Sequence, residues 1–142
     1  RVVDYKTGSP LTSLPSSVTD IFDSSLVETR HTDYYLQAFL YASLIRHGAT
    51  TMSQVNPACL PVAPALLFIR NAQKSDYTPI LQFAGEKRGT RVPINDIADY
   101  HNEFIDALKN LLSEIFNPDM PFIPTPQSER CLTCPYHKIC GV

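Results

Sequence analysis

The sequence lacks the features that define several large classes of protein. No stretch approaches the roughly 20 apolar residues that a membrane-spanning helix needs, so no membrane association is expected. The 12 Lys and Arg residues do not exceed the 14 Asp and Glu residues. The net charge of −2 excludes a strongly basic nucleic-acid binder on bulk charge alone. There is no internal repeat, and 44% apolar residues with 18% charged residues exclude a disordered charged tail.

An initiator methionine is also missing. The chain begins at Arg1, inside the strand-like run of residues 1–6. Because a natural amino terminus rarely opens within a strand, we expect the 142 residues to be a piece of a longer protein. The length matches a single domain with a sizeable core.

Hydrophobic patterns predict the order strand, helix, helix, strand, strand, helix and tail. The predicted strands cover residues 1–6, 62–70 and 79–83, and a polar turn covers 85–89. The predicted helices cover 16–23 (capped by Ser16 or Ser17), 33–47 (capped by Thr32 or Asp33 and ended by Gly48) and 94–116, before a proline-rich tail at 118–130. This order predicts an α/β fold, in which a small mixed sheet carries helices on its faces.

Two charged residues on the first strand suggest chemistry. Asp4 and Lys6 are two positions apart, so a strand places both side chains on one face. A carboxylate can hold Mg²⁺ through oxygen. A lysine can orient a water molecule and stabilise charge developing on a phosphate. An ordinary surface ion pair is the alternative interpretation, since a short motif is by itself a weak signal.

The surrounding residues strengthen the functional interpretation. The run Val2-Val3-Asp4-Tyr5-Lys6-Thr7-Gly8 resembles the Asp-Tyr-Lys-Thr-Gly signature of the PD-(D/E)XK nuclease superfamily. It is most similar to the branch of RecB-like nuclease domains, which includes AddB and the iron–sulfur exonucleases of CRISPR systems. About thirty residues later, Gln37 and Tyr41 resemble the Gln-x-x-x-Tyr motif of that branch. These two residues are i and i+4, so they share one face of the predicted helix.

The resemblance implies a fold, a reaction and partners. It implies a restriction-endonuclease-like mixed sheet flanked by helices and truncated at its amino-terminal side. The partial nuclease core would cover residues 1–117 and a tail with cysteines 118–142. The longer protein would be a metal-dependent, exonuclease-like deoxyribonuclease in double-strand-break repair or recombination. Its partners would be DNA and helicase or helicase-like domains of the same or a partner chain. The implied catalytic residues are Asp4, Lys6, Gln37 and Tyr41, with Mg²⁺ or Mn²⁺ at Asp4.

The same resemblance implies that the catalytic set is incomplete here. Family members carry an additional metal-binding Asp on the strand before Asp4, and a His or Glu on a helix further upstream. Both positions would precede Arg1, so we expect the chain alone to bind metal poorly and to cleave poorly. A catalytically inactive module of the same fold, which binds DNA or a partner protein, is the alternative.

The cysteines are spaced for metal or cluster ligation rather than for disulfides. Cys131, Cys134 and Cys140 lie within ten residues, which favours thiolate ligation in a reducing compartment, here expected to be the cytoplasm. The triad resembles the carboxy-terminal cluster of the RecB-like branch, in which a fourth upstream cysteine completes a [4Fe–4S] site. Zinc, with His137 as the fourth ligand, is the alternative. Cys59 does not match the family position and is interpreted as a structural or incidental thiol.

A modest basic segment is the candidate DNA path. Between Arg70 and Arg91 there are five basic and two acidic residues, a local net charge of +3. Within it, Lys87, Arg88 and Arg91 are the candidate contacts to backbone phosphates. A solvated hairpin is an equally good interpretation of the same residues.

Overall fold

The computed structural model describes residues 1–48, 54–121, 131–132 and 134–140. Backbone contacts divide the chain into two units, Arg1–Leu111 and Leu112–Val142. The strands are β1 (Val2–Lys6), β2 (Pro64–Phe68), β3 (Gln82–Ala84) and β4 (Arg91–Pro93). The helices are α1 (Val18–Ile21), α2 (Val27–Arg30), α3 (Thr32–His47), α4 (His101–Ile115) and, in the second unit, α5 (His137–Cys140). Short 3-10 helices cover Ser24–Leu26, Ile69–Asn71 and Ile97–Tyr100.

Two small sheets make the protein a mixed α/β structure, as its sequence predicts. Strands β1 and β2 pair in parallel, with Asp4 opposite Leu66 and Lys6 opposite Phe68. Strands β3 and β4 form an antiparallel hairpin. An isolated antiparallel bridge between Ala65 and Ile80 joins the second edge of β2 to the segment that leads into β3.

The strand predicted at 79–83 differs from the observed structure. Strand β3 begins only at Gln82, and its partner is β4, which was not predicted from the sequence. Pro79 accepts a hydrogen bond from the Leu66 N–H but has no N–H to return. Residues 79–81 therefore lie against β2 through single hydrogen bonds rather than through a regular ladder.

Helix α3 packs its buried face against the sheet and the start of α4. Tyr35, Ala38, Phe39 and Ala42 are buried on this helix at intervals of three and four residues. They belong to one core cluster, whose other buried members are Val18, Ile21, Val62, Leu66, Phe68, Leu81, Phe83, Ile94, Ile97 and Phe104. The predicted helix at 33–47 is thus confirmed within one residue.

The amino-terminal cap of α3 was predicted wrongly. The cap residue is His31, which has a left-handed backbone (φ 49°) and whose side chain makes no capping hydrogen bond. Thr32 is already inside the helix and fully buried. Because α2 ends at Arg30, the left-handed residue separates two consecutive helices, the first of which was not predicted from the sequence.

Helix α4 begins later than the predicted residue 94, because Asp96 starts a new element. Its carboxylate accepts hydrogen bonds from the N–H groups of Ala98 and Val62, both at 3.1 Å. It also pairs with Arg46 Nε at 3.3 Å. Burial raises the pKa of Asp96, but these hydrogen bonds and the Arg46 charge outweigh burial and hold it below its usual value. One carboxylate therefore connects the end of α3, the approach to β2 and the start of α4.

Lowering the pH through the histidine range is expected to destabilise the junction of α3 and α4. The His47 ring stacks on His101 with centroids 3.8 Å apart. Burial, together with the positive charges of His101 and Arg46, lowers the pKa of His47 from 6.5, while Asp96 opposes the shift. The unfolded chain therefore binds a proton at His47 more readily than the folded chain does. The full stability of the junction is present above the pKa that His47 has in the unfolded chain, and part of it is lost as the pH falls below that pKa.

Urea unfolding at about pH 7.5 and about pH 5 tests this expectation, because the range brackets the ordinary pKa of histidine. The His47→Gln variant should lose less stability between these two values than the wild type. An identical loss in both proteins would assign the pH dependence to other groups.

Candidate functional site

The predicted pair on β1 faces the helix layer. Asp4 and Lys6 are partly buried, with 23% and 17% of their side chains exposed. Their neighbours Val3 and Tyr5 are 38% and 67% exposed on the opposite face. The strand therefore alternates as its period requires, and both charged groups point towards α3.

Three groups surround the Lys6 ammonium. Lys6 Nζ lies 2.7 Å from Asp4 Oδ2 and donates a hydrogen bond to Gln37 Oε1 at 2.9 Å. It also lies 4.2 Å from the centroid of the Tyr34 ring. A carboxylate, an amide oxygen and a ring face each attract a cation. The arrangement fixes the position of the ammonium on the side of β1 that faces α3.

The hydrogen bonds through Gln37 have a defined direction. Gln37 Nε2 donates to the Tyr41 hydroxyl oxygen at 3.1 Å, while its carbonyl oxygen accepts from Lys6. The Tyr41 oxygen is thus an acceptor in this network, so its own hydrogen is directed elsewhere. Because Tyr41 is 43% exposed, the network ends in a hydrogen-bond donor that solvent or a ligand can reach.

One oxygen of Asp4 is suited to a cation. Asp4 Oδ2 is buried and accepts no hydrogen bond from the described residues. Lys6 lies beside it as an ion pair without hydrogen-bond geometry. The Lys6 ammonium 2.7 Å away compensates the charge of this buried oxygen, and a carboxylate is the kind of oxygen ligand that Mg²⁺ prefers. Within the described ranges no group of three His, Cys, Asp or Glu side chains is placed to hold a metal ion.

Tyr34 is the site residue that the sequence interpretation missed. Besides its contact with Lys6, its ring stacks on His31 with centroids 5.1 Å apart and packs beside Phe68 at 6.5 Å. The signal was present in the helix pattern, since 34, 37 and 41 are i, i+3 and i+7 on one face of α3. Such a pattern favours a core position for an aromatic residue, and only the structure shows that the Tyr34 ring lies against the Lys6 ammonium.

The cysteine segment belongs to the second unit. Cys131 and Cys134 are free thiols, and the Cys134 N–H donates to the Cys131 carbonyl at 3.2 Å. His137 Nδ1 lies 2.9 Å from the Cys134 carbonyl oxygen, which can only accept, so Nδ1 carries the hydrogen. A neutral His137 then presents Nε2 as a free lone pair, the orientation that metal-binding histidines use. The side chain of Cys140 lies outside the described residues.

The basic candidates lie on the β3–β4 hairpin, apart from the contacts of Lys6. Lys87 and Arg88 are exposed in its turn, and Arg91 begins β4. The Gly85 N–H donates to Thr90 at 2.9 Å, and Gly89 has a left-handed φ of 83°. A side chain at Gly85 would collide with Thr90 Oγ1, so this turn depends on glycine. The three basic residues thus lie on one hairpin, and within the described residues no hydrogen bond or ion pair joins them to Asp4 or Lys6.

Comparison with known proteins identifies one family. A family model described as the PD-(D/E)XK nuclease superfamily matches residues 1–141. Searches of curated proteins and of solved structures return no significant match. No helix in the described ranges is long and apolar enough to cross a membrane.

Proposed function

Because the chain belongs to the PD-(D/E)XK nuclease superfamily, we propose that it carries the catalytic lysine of a metal-dependent, exonuclease-like deoxyribonuclease of RecB/AddB type. The observation that supports this proposal most directly is the set of contacts at Lys6. Its ammonium lies 2.7 Å from Asp4 and 2.9 Å from Gln37, two residues of the expected motifs that are far apart in sequence. An ordinary surface ion pair would require only the contact between Lys6 and Asp4, so the additional hydrogen bond to Gln37 favours the catalytic interpretation.

Asp4 is the proposed ligand of Mg²⁺ or Mn²⁺, through the carboxylate that also pairs with Lys6 at 2.7 Å. When bound, such an ion supplies Lewis-acid polarisation of the phosphodiester and lowers the pKa of a water molecule. The further ligands would come from the upstream part of a longer protein. This arrangement makes Asp4 necessary for cleavage but not sufficient.

Lys6 is the proposed group that orients the attacking water and stabilises the negative charge that develops on the phosphate. Gln37 holds the ammonium through its carbonyl oxygen. Tyr41, whose hydroxyl accepts from Gln37, is left with a hydrogen that it can donate to a phosphate oxygen. Two residues of α3 thus serve the site in different ways, since Gln37 positions the lysine and Tyr41 meets the substrate.

The proposed protein acts on DNA ends in double-strand-break repair or recombination, in the cytoplasm and beside helicase or helicase-like domains. The resemblance of the Asp4, Gln37 and cysteine motifs to the RecB-like branch supports this context. Lys87, Arg88 and Arg91 would contact backbone phosphates from the β3–β4 hairpin. The same proposal assigns residues 1–117 to a partial restriction-endonuclease-like core and residues 118–142 to a separate tail with the cysteines.

Cys131, Cys134 and Cys140 are proposed ligands of a structural [4Fe–4S] cluster that ties the tail to an upstream segment. Zinc is the alternative, supported by the free Nε2 of His137. Anaerobic purification of the longest natural form of the protein, followed by a visible absorption spectrum and metal analysis, separates the two. A brown protein with iron and sulfide supports the cluster, and a colourless protein with stoichiometric zinc contradicts it.

The nuclease proposal is tested by incubating the longest natural form with linear DNA and Mg²⁺ or Mn²⁺. We expect cleavage that EDTA abolishes and that the Asp4→Asn variant lacks. A second candidate function, a module that binds DNA without cutting it, is favoured by the isolation of Asp4 from other possible metal ligands among the described residues. Metal-independent DNA binding without cleavage at any metal concentration would select this second function.

Removing the Tyr34 ring is expected to impair Lys6 while the phenylalanine variant preserves its function. The ring face attracts the ammonium and contributes roughly 0.5–2 kcal/mol to its position, which corresponds to about 2- to 30-fold in rate. Tyr34→Leu should therefore slow single-turnover cleavage and change its pH profile, and Tyr34→Phe should retain both. Equal effects of the two substitutions would show that the hydroxyl, rather than the ring face, is responsible.

A further inference from the structure

A second feature lies beside Lys6, at the carboxyl ends of β1 and β2. A cavity of about 460 Å³ opens there. Its walls come from the loop after β1 (including Ser9 and Thr12), from β2 and from the segment 74–82, and Arg91 of β4 completes it. The volume falls in the range of pockets that hold small organic ligands. Asp4, Lys6, Gln37 and Tyr41 do not line the cavity, so it is separate from the proposed catalytic contacts.

The cavity nevertheless borders the catalytic lysine. Phe68, which lines it, is the residue opposite Lys6 in the parallel pair of strands. Residues opposite each other in a sheet project to the same face, and Phe68 also packs beside the Tyr34 ring. Ser9 follows Lys6 by three residues, a chain distance of at most about 11 Å. A ligand in this cavity would therefore lie next to any phosphate held at Lys6.

The wall of the cavity is preformed. The Tyr77 hydroxyl donates to the Leu66 carbonyl at 2.7 Å and accepts from the Phe68 N–H at 2.9 Å. These two hydrogen bonds fix the position of the Tyr77 ring. Part of the Tyr77 side chain stays exposed. The Tyr35 hydroxyl donates to the Gln82 carbonyl at the base of the same segment. Little ordering is then required when a ligand binds.

The charges around the cavity favour an anion. Lys74 and Arg91 line it together with a single carboxylate, Asp76, which leaves one positive charge in excess. Burial raises the pKa of Tyr35 on the same wall, while its hydrogen bond to the Gln82 carbonyl and the positive charge of Arg91 act in the opposite direction. A flat apolar wall beside two cations suits a group with a planar ring and a phosphate.

We propose that this cavity binds an unpaired nucleotide of the DNA strand that is cut, with the base against Tyr77 and its phosphate at Lys74 and Arg91. The proposal rests on the proposed nuclease function and adds to it the form of the substrate. A paired and stacked base cannot enter a cavity of this kind, whereas a single-stranded or frayed end can. The site therefore selects strands with an unpaired nucleotide next to the scissile phosphate.

Fluorescence anisotropy of the full chain in EDTA tests the proposal without cleavage, using two labelled probes, decathymidylate and a blunt DNA hairpin. Thr12→Trp fills the cavity from an exposed loop position, and Ser13→Trp is its matched control, since Ser13 does not line the cavity. Thr12→Trp should weaken decathymidylate binding about tenfold, the loss typical of one stacked base, and leave hairpin binding unchanged. Ser13→Trp should bind both probes as the wild type does.

Lys74→Ala is a second variant that leaves the fold intact, because Lys74 is exposed. It should weaken decathymidylate binding more than Lys109→Ala, which removes an exposed charge from α4. Unchanged binding by Thr12→Trp, equal losses for the two probes, or no decathymidylate binding by the wild type would each overturn the proposed subsite. Failure of the nuclease proposal would instead appear as cleavage that does not depend on Lys6, with the probe preference intact.

Discussion

Replacing Lys6 with alanine is expected to slow DNA cleavage by about 10²- to 10³-fold, the usual cost of removing one group that stabilises developing charge. The ammonium is held by Asp4, Gln37 and the Tyr34 ring, so its position is set before substrate binds. Alanine removes the charge and leaves these three partners without the group they surround. The measurement is single-turnover cleavage of linear DNA by the longest natural form, at saturating Mg²⁺.

Two controls make this result specific. Lys109→Ala removes an exposed lysine that pairs with Asp106 at 3.6 Å, and it should cleave at the wild-type rate. Lys6→Arg keeps the charge, but its planar guanidinium cannot replace a compact ammonium between a carboxylate and a ring face. Its rate should therefore stay well below that of the wild type. Equal cleavage by Lys6→Ala and wild type would refute the role assigned to Lys6.

The acidic and basic pair on β1 was accessible from sequence because the strand period is two. The same holds for Gln37 and Tyr41, since a helix places residues four apart on one face. Neither periodicity predicts that the face of β1 with Asp4 and Lys6 contacts the face of α3 with Gln37 and Tyr41. The structure adds this contact through the bond from Lys6 to Gln37, which joins residues 31 positions apart. The roles of the four residues stay proposals, whereas their proximity is now a structural observation.

Other features were not accessible from sequence because they depend on partners that are distant in the chain. Asp96 reads as an ordinary helix start, yet its carboxylate accepts from Val62, 34 residues earlier. The left-handed His31 has no signal of its own, because no glycine marks the positive φ at this position. Strand β4 has only three residues, all of them exposed, so the sequence did not predict it, and only its pairing with β3 identifies it as a strand. Local pattern thus predicted element types, and tertiary hydrogen bonds decided several of the boundaries.

Replacing Phe39 with alanine is expected to destabilise the first unit by roughly 3–5 kcal/mol, the usual cost of deleting a fully buried aromatic ring. Phe39 is completely buried. Its ring packs against Tyr35, Phe83, Tyr100 and Phe104, with centroid separations of 5.4–6.4 Å. Three other elements of the core, β3, the 3-10 helix Ile97–Tyr100 and α4, therefore lose a contact at once. Since whole domains are stable by about 5–15 kcal/mol, the urea midpoint should fall steeply.

Leu40→Ala is the matched control, because the next residue of α3 lies on the outer face with 37% of its surface exposed. It should cost much less than Phe39→Ala, and a similar cost for both would contradict the assignment of the core face. Phe39→Leu should recover part of the lost stability by refilling the cavity. Cleavage should follow stability in this series, since Gln37 is two residues away on the same helix. A Phe39→Leu protein that is folded at the assay temperature is then expected to cleave near the wild-type rate. A Lys6→Ala protein that is folded to the same extent is expected to cleave far more slowly.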